Sequence, residues 1–219
     1  MQTPDIYKNL NIKTVINGKS WFTNLGGSLM KPEVLDAMSQ SSSAFINYEE
    51  LHKKCSDQIA KLCQAESALI TSGCASAIVL MSASVICKKD ISAIDKIPNQ
   101  KEKFQILISK HHRNHYDTSF EATGAKLIEY EDPIDLSKKI NKYTVAIAYV
   151  EATFLEKKVD FNEVVEVANL NEIPVIVDAS AKLPPIENLY KFTKAGASLV
   201  SFSGGKGVRG PQNTGFMIG

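Results

Sequence analysis

The run Tyr143-Thr-Val-Ala-Ile-Ala-Tyr-Val150 holds eight successive residues with no charge and no turn former. It lacks the in-out alternation of a half-solvated strand, so both of its faces must be covered. That is the pattern of a central strand in a parallel sheet with helices on either side. Parallel neighbours need long crossover connections, usually helical, and the flanking sequence supplies them. Strand-like runs at Glu66–Thr71, Phe104–Ser109, Ala125–Tyr130, Val175–Asp178, Ala197–Phe202 and Phe216–Gly219 alternate with helical patterns. The helices are expected at Lys31–Ser39 (Pro32 in its first turn), Tyr48–Cys63, Ala77–Cys87, Tyr116–Thr123, Leu136–Asn141, Phe161–Asn169 and Leu189–Gly196. Within Tyr48–Cys63 the apolar stripe is Leu51, Cys55, Ile59 and Leu62. Thr14–Asn24 reads as a strand or extended segment, Leu25-Gly-Gly-Ser28 as a turn, and Ser39–Ser43 as a polar loop. The expected architecture is α/β, three-layered, with a mostly parallel sheet covered by helices. No internal repeat is present.

Ligands of such sheets sit beyond the carboxyl ends of the strands, and three clusters fall there. Ser201-Phe-Ser-Gly-Gly-Lys206-Gly-Val-Arg-Gly210 places one lysine between glycines directly after a strand. A lysine tethered so closely to buried backbone suits Schiff-base chemistry. Upstream, Ile173-Pro-Val-Ile-Val-Asp178 ends an apolar strand on a carboxylate. Ser72-Gly73-Cys74-Ala-Ser76 joins a strand to a helix, where free backbone N–H groups and the helix dipole receive an anion. Phosphate cup, aspartate and lysine in this chain order form the constellation that binds pyridoxal 5'-phosphate: the lysine holds the aldehyde and the aspartate keeps the ring nitrogen protonated.

Each cluster also has a plainer meaning. Lys206 alone could be a surface lysine, Asp178 a helix cap, and the Ser72–Ser76 turn an ordinary helix start. The glycine-lysine run is not a P-loop, because G-x-x-x-x-G-K-[ST] is absent. After the Phe104–Ser109 strand comes Lys110-His-His-Arg-Asn-His-Tyr116. His111 and His115 are spaced as a metal pair would be on a helix, but no acidic third ligand stands at a useful spacing and a loop is expected, so no metal is assigned. His112 is the histidine chosen to stack on a ring.

Composition narrows the function classes. The chain has 219 residues, 44% hydrophobic, enough for one large core. Twenty-five basic against 24 acidic residues leave a net charge of +1, so nothing advertises a nucleic-acid partner. Cys55, Cys63, Cys74 and Cys87 show no zinc-ligand spacing. Reduced thiols in the cytoplasm are the simplest account. The first residues lack the apolar stretch of a signal peptide. Ser67–Cys87 is uncharged, yet its serines, threonines and alanines suit a buried small-residue helix better than a membrane span.

The residues now support a comparison. Ser201-Phe-Ser-Gly-Gly-Lys-Gly-Val-Arg-Gly-Pro-Gln212, preceded by Val177-Asp-Ala-Ser-Ala-Lys-Leu-Pro-Pro-Ile-Glu-Asn188, resembles the selenocysteine-synthase-like group of fold-type-I pyridoxal-phosphate enzymes. Within it the chain looks closest to the D-glucosaminate-6-phosphate ammonia-lyase branch. Leu25-Gly-Gly-Ser-Leu-Met30, Tyr48-Glu-Glu-Leu-His52, Thr71-Ser-Gly73, His112-Arg-Asn114 with Tyr116, and Thr123-Gly-Ala-Lys-Leu-Ile-Glu129 match as well. The likeness runs from about Val15 to the last residue. It implies that Lys206 is the cofactor lysine and general base, Asp178 the partner of the pyridine nitrogen, and His112 the ring-stacking residue. Ser72, Gly73, Cys74 and Ser203 would hold the phosphate. Gln212 and Arg209 line the same loop, and Arg209 is either a ligand for an anionic substrate group or structural.

The implied reaction removes the α-proton of a small amine substrate, eliminates a β-substituent and releases ammonia and a keto acid. The resemblance also implies a homodimer or higher homo-oligomer; the near-neutral charge and the hydropathy pattern leave neither nucleic acid nor membrane as an expected partner. Residues 1–24 are expected as an N-terminal arm and 25–219 as the cofactor-binding large domain, cut short of the small C-terminal domain that such enzymes carry. Two alternatives are a seryl-tRNA selenium transferase and a truncated, inactive remnant. The chain departs from the pattern at Asn17-Gly-Lys-Ser-Trp-Phe-Thr23, where relatives have small residues, and at Glu121, where they tend to have arginine.

Overall fold

A computed structural model describes residues 4–88, 90–152, 155 and 159–219; the first three residues of the expected arm lie outside it. In chain order the elements are α1 (Asp5–Asn9), α2 (Pro32–Ser41), α3 (Tyr48–Cys63), β1 (Ala68–Thr71), α4 (Cys74–Cys87), β2 (Gln105–Ser109), α5 (Thr118–Glu121), β3 (Lys126–Tyr130), α6 (Pro133–Lys139), β4 (Thr144–Val150), α7 (Phe161–Leu170), β5 (Val175–Asp178), α8 (Asn188–Lys194), β6 (Leu199–Ser203) and β7 (Gly215–Ile218). Short 3-10 turns occupy Thr23–Leu25, Ile91–Lys96 and Lys110–His112. The seven strands form one sheet in the order β1-β7-β6-β5-β4-β2-β3. Pairing is parallel from β6 to β3, and β7 runs antiparallel to both β6 and β1. Six strands therefore point the same way and β7 against them, the mostly parallel sheet expected.

The uncharged run of β4 explains itself in this arrangement. All seven of its residues are buried, and from Ala146 onward successive side chains enter different cores. Ile147 and Tyr149 join Leu107, Val175, Val177, Val200 and Phe202 in one cluster, with α6, α7 and α8 behind them. Ala146, Ala148 and Val150 join Ile106, Ile108 and Ile176 in the other, beneath α4 and Phe120 of α5. Each fully buried branched side chain of this kind contributes about 1.5–3 kcal/mol. The α4 helix buries Ala77, Ile78, Met81, Ser82, Val85 and Ile86; its apolar length serves the sheet. No helix among the described residues is long and apolar enough to cross a membrane.

Several expectations need correction. The Thr14–Asn24 segment forms no strand; it is irregular and ends in the Thr23–Leu25 turn, with residues 4–24 exposed apart from half-buried Trp21. The polar loop Ser39–Ser43 is partly helical, because α2 runs on to Ser41. The helix expected over Tyr116–Thr123 shrinks to four residues, since Arg113, Asn114 and Asp117 tie its approach into a turn. The α4 helix begins three residues before the expected Ala77, at Cys74. The ends of α3 fall where expected, but its buried face does not. Ser56, Ala60 and Cys63 are buried, while Leu51 and Leu62 stay exposed at 46% and 71%.

The register lines up one edge of the sheet. Val150 stands opposite Asp178, Asp178 opposite Ser201, Ser203 opposite Gly215, and Gly215 opposite Thr71. The three sequence clusters thus leave the sheet side by side.

Candidate active site

Asp178 closes β5, and its carboxylate is 7% exposed. Two donors reach one of its oxygens: Ser180 N–H lies 2.9 Å from Oδ1 and the Cys74 thiol 3.6 Å from it. Among the described residues no hydrogen bond reaches Oδ2. A buried carboxylate needs donors to stay charged, and this one receives them on a single side.

Lys206 follows β6, and its Nζ donates to Ser180 Oγ at 3.2 Å. Ser180 therefore bridges the two principal residues, backbone to Asp178 and side chain to Lys206. The Lys206 loop is built on close backbone approach. A Cβ at Gly207 would strike the Leu183 carbonyl, and one at Gly205 would lie 2.5 Å from Gln212 Cα. Any larger residue would displace the lysine.

At the start of α4, Gly73 takes φ +118° as the N-cap and offers no side-chain cap to the helix. A Cβ on Gly73 would meet nothing within 4 Å, so the helix end opens into free space. Ser72 is exposed, with its hydroxyl 3.1 Å from that of Ser76, and Ser203 lies half-buried at the end of β6 beside this turn. The Cys74 side chain points the other way, into the sheet, where Ser201 Oγ is 3.3 Å from Sγ. Burial, then the negative charge of Asp178, push its thiol pKa well up.

His112 is wholly buried. Its Nδ1 accepts from Val150 N–H at 3.3 Å, and its ring packs edge-on to Tyr149, centroids 4.6 Å apart. Stacking on a ligand requires the imidazole to turn outward. The turn behind it is braced by Arg113, which donates to Asp117 at 2.5 Å and Glu129 at 2.8 Å; the Asp117 bond leads in raising the guanidinium pKa. Gln212 and Arg209 serve the loop. The Gln212 amide nitrogen, oriented by its surroundings, donates to Gly26 O at 2.9 Å. Arg209 Nε donates to Leu29 O at 3.2 Å, a contact that gives Arg209 a structural partner.

Sequence reasoning missed four residues here. Ser180 and Ser201 were indistinguishable from the other small residues around them, although Ser180 stands two positions past a strand-ending aspartate. Glu151 and Lys182, from the ends of β4 and β5, form a partly buried ion pair at 2.6 Å. Their separation in sequence gave no signal of it.

A sheet of this order, with an aspartate and a lysine at the ends of adjacent parallel strands and a glycine-capped helix beside them, is the large-domain fold of the fold-type-I pyridoxal-phosphate enzymes. The chain is similar, more particularly, to the D-glucosaminate-6-phosphate ammonia lyase of Salmonella typhimurium: 29% identical over 229 residues, covering 99% of this chain and 61% of that protein. A solved structure of D-glucosaminate-6-phosphate ammonia-lyase superposes with a TM-score of 0.91 at 29% identity, over 100% of this chain and 61% of that one. The chain thus spans about three-fifths of the length of these relatives. Two more distant structures share the fold alone. A SepCysS–SepCysE N-terminal domain complex matches with TM-score 0.67 and 14% identity, over 98% of this chain and 58% of that one. A serine palmitoyltransferase from S. paucimobilis matches with 0.64 and 12%, over 88% and 50%. No family model matches the sequence.

Proposed function

We propose that this chain is the cofactor-binding large domain of a pyridoxal-phosphate-dependent lyase that releases ammonia from an amino sugar acid, phosphorylated as in the relative's name, or from an amino acid. One observation carries the reading: Asp178 Oδ1 is held by the protein while Oδ2 is left open, and the Lys206 amine is tethered through Ser180 to the same carboxylate. The residues fit the cofactor in two further respects. The N-terminus of α4 has no side-chain cap, and the space beyond Gly73 is clear, which suits a phosphate.

Bound there, pyridoxal phosphate supplies an electron sink for charge at a substrate's α-carbon. The backbone N–H groups of Ser72, Gly73 and Cys74, with the Ser203 hydroxyl, would hold its phosphate. Asp178 Oδ2 would keep the ring nitrogen protonated, and His112, turned outward, would cover one ring face. Lys206 Nζ would be the point of covalent attachment and, as a free amine, would take the α-proton of the substrate. Arg209 and Gln212, at the rim of the loop, are the nearest of the expected residues to serve an anionic substrate group. Ser180, 3.2 Å from Nζ, holds the lysine at a defined place between these steps. The near-neutral charge of +1 gives a seryl-tRNA substrate no electrostatic support.

Residues 1–24 are read as an arm and 25–219 as the large domain. The apolar surface of the first fifty residues calls for a partner. Ile16 and Phe45 are fully exposed and Leu29 is 73% exposed. An apolar groove of about 480 Å³, lined by Ile59, Leu62, Leu183, Ile186 and Val208 among others, opens beside α3. A soluble chain rarely leaves so much apolar surface uncovered, and a second copy of this chain is the proposed cover. The four cysteines are all free, as a reducing compartment such as the cytoplasm requires.

The test is direct. The protein is mixed with pyridoxal phosphate, its visible absorbance recorded, and the adduct reduced with borohydride and mapped by peptide mass spectrometry. Pyridoxyl on Lys206 is the expected result, followed by ammonia release from D-glucosaminate 6-phosphate or from amino acids. Label on another lysine would overturn the site, and a folded protein with no label would favour an inactive remnant.

A further inference from the structure

Cys74 is the first residue of α4, and its side chain leaves the anion cradle that its backbone helps to form. The Sγ atom sits between Ser201 Oγ, 3.3 Å away, and Asp178 Oδ1, 3.6 Å away. Ser201 uses its own proton on Val177 O at 3.2 Å. The proton shared among these groups is therefore the thiol's, in a three-centre bond to a hydroxyl and a carboxylate oxygen. On Oδ1 it meets a second donor, the Ser180 N–H at 2.9 Å. The two come from different elements, one from α4 and one from the turn after β5.

We propose that Cys74 is a positioning residue for Asp178: its thiol, with Ser180 N–H, fixes Oδ1 so that Oδ2 alone faces the ring nitrogen. The inference rests on the pyridoxal-phosphate reading above and adds a residue to it. A carboxylate at a strand end can swing about two side-chain torsions; two donors on one oxygen leave it a single orientation. The thiol suits the task because burial and the neighbouring carboxylate keep it protonated, and hence a donor. It also gives the side chain of Cys74 a function apart from phosphate binding, which falls to the backbone at this position.

Two measurements test this. The first needs no cofactor: the S–H stretch of Cys74 is isolated as the Raman difference between the wild-type protein and Cys74→Ala. The expected band lies on the hydrogen-bonded, low-frequency side and moves upward in Asp178→Ala. A band at the free-thiol position, or one unmoved by Asp178→Ala, overturns the proposal. The second is the dissociation constant for pyridoxal phosphate. Cys74→Ala is expected to weaken binding about tenfold, the scale of a hydrogen bond to a charged acceptor, while Cys74→Ser, which keeps a donor, stays within about threefold of wild type. Unchanged affinity in Cys74→Ala, or an equal loss in both variants, would show that the thiol only fills space. Failure of the wild type to take up the cofactor would strike the functional reading instead; the Raman result decides the Cys74–Asp178 contact in either case.

Discussion

Replacing Gly215 with alanine puts one methyl group into the place where β7 passes the start of α4. The added Cβ would lie 2.6 Å from the Gly73 carbonyl carbon and 2.7 Å from the Cys74 nitrogen. Both are backbone atoms, so no side chain can turn aside. Carbon atoms pack at about 3.5–4.0 Å, so the strand and the helix end must part by about 1 Å. Phe202 O, 2.9 Å from the same Cβ, blocks retreat toward β6. Overpacking of this kind costs about 1–3 kcal/mol, with a further loss at the ligand expected because the displaced N–H groups belong to the proposed anion cradle. Gly18→Ala is the control: its Cβ meets nothing within 4 Å, and a change within about 0.5 kcal/mol is expected. Urea unfolding of both variants without cofactor gives the stability term, and titration with inorganic phosphate and with pyridoxal phosphate gives the site term. The reasoning is refuted if Gly215→Ala unfolds at the wild-type midpoint and binds both ligands as the wild type does.

Alkali should weaken the fold through Cys63, which is 1% exposed and whose thiol is pushed by burial from 9.0 to about 11. The folded state holds this proton more tightly than the unfolded chain, so the stabilisation is complete below pH 9 and lost as pH rises toward 11. Two pH units correspond to about 2–3 kcal/mol. Cys63→Ala should lower stability at neutral pH yet flatten its decline between pH 9 and 11; an unchanged slope in urea melts across that window would contradict the assignment. For the proposed second copy, sedimentation at micromolar concentration should show a dimer or larger. Phe45→Asp should shift it toward monomer with the circular dichroism intact; a wild-type monomer would remove the explanation of the exposed face.

How much of this could be read from the chain depended on whether a residue acts along the sequence or across it. The strand runs were legible because burial on both sides leaves β4 no charged position, and Asp178 and Lys206 stood out because each ends or follows such a run. The α4 start was legible as a glycine turn, but its first helical residue lay three positions earlier than the apolar pattern suggested. Periodicity reports side-chain character, whereas the cap is set by the φ of Gly73. The α3 stripe misled for a related reason. Its buried residues, Ser56, Ala60 and Cys63, are all small. The larger Leu51 and Leu62 face outward, where a one-chain reading of amphipathicity expects polar residues.

The same distinction explains the site. Ser180, Cys74 and Ser201 matter because they converge on one carboxylate, and convergence depends on register. Asp178 pairs with Ser201 across β5 and β6, while Gly215 lets β7 bring the Cys74 backbone alongside. Shift β6 by one residue and Ser201 would face the other core while Phe202 approached Asp178. The proposed site is therefore specified twice, by the residues expected to touch the ligand and by the glycines and apolar runs that permit only one register. The residues proposed to touch the ligand announce themselves by their chemistry. The glycines and apolar runs resemble ordinary turn and core until the strands are side by side, so a substitution such as Gly215→Ala can disable the site without altering any group that takes part in the reaction.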